Sequence, residues 1–118
     1  MDIKLFREII QEREYVETIS QGEWAEGIDS CCQKEIDILS EDVDSTIEFL
    51  KNDCLAKDFV WISEIIEDLA EKTRSQALID CYKSLTAKFS AECKTYCIEE
   101  SVKNAEAILK ESKNGKKK

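Results

Sequence analysis

Histidine and proline are both missing from this chain, and glycine occurs only three times in 118 residues. Without histidine, the Ser-His and Cys-His pairs that activate most nucleophiles cannot form, so any catalyst here would have to work through Glu, Asp, Lys or Cys. Without proline and with so little glycine, the turns that punctuate an all-β protein have no residues to make them. No stretch approaches the roughly 18 to 20 consecutive apolar residues that a membrane span requires. The opening "MDIKLFREIIQEREY" is too highly charged for a secretory leader, which leads to the expectation of a cytoplasmic protein. In that compartment the six cysteines, Cys31, Cys32, Cys54, Cys81, Cys93 and Cys97, stay reduced and serve mainly as small core residues. Cys-x-x-Cys zinc knuckles are absent too; Cys93 and Cys97, at i and i+4, could share a helix face and hold a thiophilic metal with Cys81 or Cys54, but structural thiols are the expectation, with neither a metal nor another cofactor.

What the chain does contain is helical periodicity. Ile3, Phe6, Ile10, Val16 and Ile19 predict a first helix over about residues 2 to 20, and Ser20 with Glu23 would open a second as a capping box. The second helix carries Trp24, Ile28, Cys31, Cys32, Ile36 and Leu39 on one stripe. A third has Val43, Ile47, Leu50 and Cys54, with Ser45 and Glu48 as its capping box. Asp58 caps a fourth, whose apolar face is Phe59, Ile62, Ile66 and Leu69 and which ends near Thr73. Thr73 and Gln76 then open a fifth through Leu78, Cys81, Tyr82, Leu85 and Phe89, "SAECKTY" reads as a loop, and Ile98, Val102, Ala105, Ile108 and Leu109 form the last helix.

The expected fold is therefore all-α, a single compact bundle of about six antiparallel helices over residues 1–112, followed by a disordered basic tail over 113–118. Residues 43 to 72 and 75 to 111 also read as two helical hairpins that could stack. The predicted core is Ile28, Ile36, Ile47, Ile62, Ile66, Leu69, Leu78, Tyr82, Leu85 and Val102.

Charge is distributed very unevenly. Between Glu8 and Glu71 stand nineteen acidic and four basic residues, a net of −15, whereas residues 72 to 118 carry eleven basic and six acidic ones, a net of +5. With +1 from residues 1 to 7, this gives the formal −9. Such a field repels nucleic-acid phosphates and attracts a cationic protein. The best local candidates for a partner contact are Glu64, Glu67, Asp68 and Glu71, at spacings of three and four on the fourth helix, with Trp61 beside them as an apolar anchor. Glu8, Glu12, Glu35 and Asp42 are the alternatives if that stripe is only a solvated face.

The run "DFVWISEIIEDLAEKTRSQALIDCYKSL", continuing to "AKFSAECKTYCI", resembles small bacterial all-α proteins encoded beside polymorphic toxins, among them immunity proteins of contact-dependent growth inhibition systems. The shared features are the aromatic and Trp before Ile-Ser-Glu, the Glu-Lys-Thr-x-Ser junction and the aromatic-rich helix after it, within residues 43 to 111. The resemblance implies an antitoxin with no active site, which neutralises its cognate toxin, typically a nuclease, by placing carboxylates in a basic cleft. The other reading is a helical adaptor or regulator of some other basic protein.

Overall fold

The computed structural model describes the backbone of residues 2–20 and 25–115 and side chains as far as residue 110. Among the described residues the only regular elements are helices, with no strand: α1 (Ile3–Ser20), α2 (Ala25–Glu41), α3 (Val43–Asn52), α4 (Ala56–Ser63), α5 (Ile66–Thr73), α6 (Gln76–Lys88), α7 (Ser90–Thr95) and α8 (Ile98–Gly115). Trp24 and the Ser20–Glu23 capping box lie at least partly outside the described residues.

Eight helices rather than six arise from two local departures. The expected fourth helix breaks at Glu64 and Ile65, whose N–H groups donate to Trp61 and Ile62, three residues back instead of four. That tighter turn winds the chain at about 3.0 residues per turn instead of 3.6, so the face behind it rotates. Ile62, Ile65 and Ile66 lie on both sides of that turn and are all in the core, 1%, 1% and 0% exposed, as their spacing of three and four residues allows. The second departure is "SAECKTY": its first residues form α7, Tyr96 caps that helix, and Cys97 takes a left-handed φ of 54° before α8 begins. Cys93 and Cys97 consequently do not share one helical face.

Three caps also differ from expectation. Asp42, not Ser45, caps α3 by accepting the Ser45 N–H, and Ser75, not Thr73, caps α6 by accepting the Leu78 N–H. Thr73 instead donates to the Leu69 carbonyl within α5. Asp58 sits inside the first turn of α4 rather than ahead of it; its carboxylate accepts the Leu55 N–H and pairs with Arg7 of α1 at 3.0 Å.

One buried cluster runs through the molecule from Phe6 on α1 to Leu109 on α8. α5 lies against α8, α1 against α2, and α3 against α6. Tyr82 stacks on Phe59 at 4.8 Å and donates its hydroxyl to the Phe59 carbonyl at 2.7 Å, so a large ring is buried with its polar atom satisfied. Of the expected core, Ile28 and Ile47 are only half-buried, since each lies at the edge of its helix's apolar stripe; the other eight are buried. Four cysteines are buried, Cys32 is half-buried and Cys97 is exposed.

Candidate functional site

α4, α7 and the start of α8 enclose a groove of about 860 Å³, closed on one side by α1. Its apolar surface comes from Ala56, Val60 and Trp61 of α4, Ala91 of α7 and the capping residue Tyr96. Carboxylates from three separate elements border it: Glu14 on α1, Glu64 at the α4–α5 break and Glu92 on α7. Lys57 is the cation on this rim, and it is already held by Glu14 at 2.8 Å. Tyr96 is 59% exposed, as is Leu55, which precedes Ala56.

The four carboxylates expected to form one stripe are all exposed, yet the break at Glu64 and Ile65 divides them. Glu64 joins Trp61 at the groove. Glu67 turns toward α8 and accepts a hydrogen bond from Asn104 at 3.5 Å. Asp68 and Glu71 border a second depression with Gln33, Ile36, Lys72 and Arg74, where Lys72 is paired with Asp37 instead. The structure thus brings together Trp61 and Glu64, and adds Glu14, Glu92 and Tyr96, which periodicity alone did not connect.

Beside the groove lies a buried ionic cluster. Arg13 of α1 is 5% exposed, and its guanidinium reaches Glu64 at 2.6 Å, Glu17 at 3.3 Å and Glu35 of α2 at 3.6 Å. It also lies 5.0 Å from the centroid of the Trp61 ring, close enough for a cation–π contact. Glu35, expected as a possible surface contact, is 0% exposed and cannot meet a partner. Its position one helical turn beyond Cys31 and Cys32 puts it on the stripe that α2 turns inward. At 3.6 Å the Arg13–Glu35 contact is an ion pair but too long for a hydrogen bond, and neither Glu35 oxygen has a hydrogen-bond partner among the described residues.

Desolvation therefore dominates at Glu35. Burial raises its pKa from 4.5 to about 7 despite the opposing pull of Arg13, and the nearby Glu64 carboxylate adds to the rise. Burial likewise pushes the Cys32 thiol up to about 11 and Cys54 to about 12, which holds both protonated and poorly nucleophilic at neutral pH. Among the described residues no three His, Cys, Asp or Glu side chains are grouped as a metal site would need, and no helix is long and apolar enough to cross a membrane.

No family model, curated protein or solved structure matches the chain. The site must therefore be read from its own geometry.

The raised Glu35 pKa makes stability fall as pH rises. Between about 4.5 and 7 the native carboxyl keeps a proton that the unfolded chain releases, so native Glu35 is favoured below this window and penalised above it. The difference is about 3 kcal/mol, at 1.36 kcal/mol per pH unit. No histidine titrates in the same range. Urea unfolding at pH 5 and pH 8 should show the wild type losing stability on that rise, while Glu35→Gln, neutral and nearly isosteric, stays level. Equal slopes for the two proteins would rule out this assignment.

Proposed function

We propose that this protein is a cytoplasmic immunity protein that binds and neutralises a cognate toxin, a nuclease with a basic substrate cleft, through the acidic surface of α1 to α5. The observation that carries the reading is the state of the carboxylates on those helices. Glu8, Asp29, Asp44, Glu48, Asp68 and Glu71 are exposed, and none is in a salt bridge among the described residues. A surface shaped only for solubility mixes signs and pairs them. An excess of unpaired carboxylates can instead take the place of phosphates in a cationic cleft, which speeds encounter and sets orientation. Inhibition by occupation requires no chemistry from the inhibitor, in keeping with a chain whose buried thiols are held protonated.

The test is association with the product of the neighbouring gene, followed by stopped-flow at increasing salt. The association rate should fall steeply as ions screen the surface, while dissociation changes less. Replacing Glu67 and Asp68 together by Lys should slow association about tenfold at low salt, within the range over which steering acts. Both residues lie in the first turn of α5, where carboxylates favour the helix dipole, so the reversal should also cost about 1 kcal/mol of folding stability and leave the domain folded. A rate indifferent to salt, or failure to recover any cationic partner, would defeat the reading.

A further inference from the structure

We propose that the groove between α4 and α7 seats a basic segment of the partner protein, with an apolar side chain resting on Trp61 and Tyr96 while flanking arginines or lysines reach Glu64 and Glu92. This rests on the reading of the protein as a binder of a cationic partner, and it names the place and chemistry of the contact.

The arrangement of the groove supports the assignment. An apolar centre of tryptophan and tyrosine inside a polar rim is the pattern of the regions where protein interfaces concentrate their binding energy. Tyr96 stands 59% exposed at a helix end, where solubility alone would favour a polar residue. The rim has spare negative charge, because Lys57 is taken by Glu14, and Glu92 forms no salt bridge among the described residues. Glu64 is anchored by Arg13, which fixes its position before a partner arrives and reduces the ordering cost of binding.

Other occupants fit less well. A second copy of this chain would bring another net charge of −9 against the same acidic surface. Nucleic acid would be repelled by the same carboxylates. A cationic segment satisfies both the floor and the rim, and its arginines suit carboxylates in particular because they can bond in a two-pronged geometry.

The test uses two labelled peptides, Arg-Arg-Leu-Arg-Arg and Arg-Arg-Gly-Arg-Arg, titrated into the full chain at low salt and followed by amide chemical shifts. The leucine peptide should bind more tightly and move the signals of Trp61, Tyr96 and Ala91. Tyr96→Ala should weaken it about tenfold, a loss of about 1.4 kcal/mol, and leave the glycine peptide unchanged. Glu92→Lys should weaken both peptides. Tyr96 and Glu92 are suitable probes because neither belongs to the buried core, so both variants should remain folded. If both peptides bind equally and shift Asp68 and Glu71 instead, the groove is not the seat, while a cationic partner at another face stands. If neither peptide binds, the groove assignment fails, and the toxin-binding reading is judged separately by the salt dependence of association with the neighbouring gene product.

Discussion

Replacing Arg13 by methionine should destabilise the protein by about 3 to 5 kcal/mol at pH 8, because Glu35 would lose the cation that offsets its burial and would have either to stay ionised in the interior or to bind a proton against the pH. Glu17 and Glu64 should suffer less, since their side chains are 34% and 48% exposed and can hydrate once Arg13 is gone. Part of the loss also comes from the Trp61 face that the guanidinium covers. At pH 5 the loss should shrink, because Glu35 is already protonated and neutral there and needs no cation beside it. The decisive comparison is the double variant Arg13→Met with Glu35→Leu. Replacing a buried pair by apolar groups of similar volume is often neutral, so the double variant should return to within about 1 kcal/mol of the wild type. Denaturant unfolding of all four proteins would measure the coupling directly. A single Arg13 variant that loses under about 1 kcal/mol would mean that the pair does not bear on folding.

The other large effect is expected at Ile66. Its side chain is 0% exposed within the central cluster, on the helix that packs against α8. Ile66→Asp forfeits about 1.5 to 3 kcal/mol of apolar burial and puts a carboxylate where no cation is placed to meet it, at a further cost of several kcal/mol. Aspartate at the first position of α5 would recover only about 0.3 to 1 kcal/mol from the helix dipole. Against the 5 to 15 kcal/mol typical of a domain, the sum should abolish cooperative unfolding, leaving weak helical circular dichroism that fades without a transition. Ile66→Val should cost about 0.5 to 1.5 kcal/mol and keep the transition, which separates loss of shape from burial of charge. A folded Ile66→Asp protein with a sharp transition would contradict the packing described for α5.

Much of this architecture could be read from spacing. Phe59, Ile62, Ile66 and Leu69 recur at three and four residues and are all buried, and so are Leu78, Tyr82 and Leu85. What spacing does not register is a change of phase. Ile62, Ile65 and Ile66 would share one face of a continuous helix, so their spacing gives no sign of the break that the two tightened hydrogen bonds make at Glu64 and Ile65. The ionic cluster did leave a trace in the sequence. Arg13 lies three residues from both Ile10 and Val16, and Glu35 three from Cys32 and four from Leu39, so a charge occupies an inward position on each of two neighbouring helices. Opposite charges at such positions mark a pair that must meet, because neither can be buried alone. The groove had no comparable signal. Trp61, Glu92 and Tyr96 come together through α7, a helix of six residues, too short for a hydrophobic period to become visible.

The pairing of α5 with α8 also sets the order in which the chain can mature on the ribosome. Chains emerge at about 5 to 20 residues per second, so several seconds separate the appearance of Thr73 from that of Leu109. Through that interval Ile66, Leu69 and Ala70 have no α8 to cover them, although α1 and α2 can already pair with each other. α5 is thus synthesised with the acidic half but covered last, and a nascent chain that stalls before residue 98 displays a bare apolar seam to proteases and chaperones.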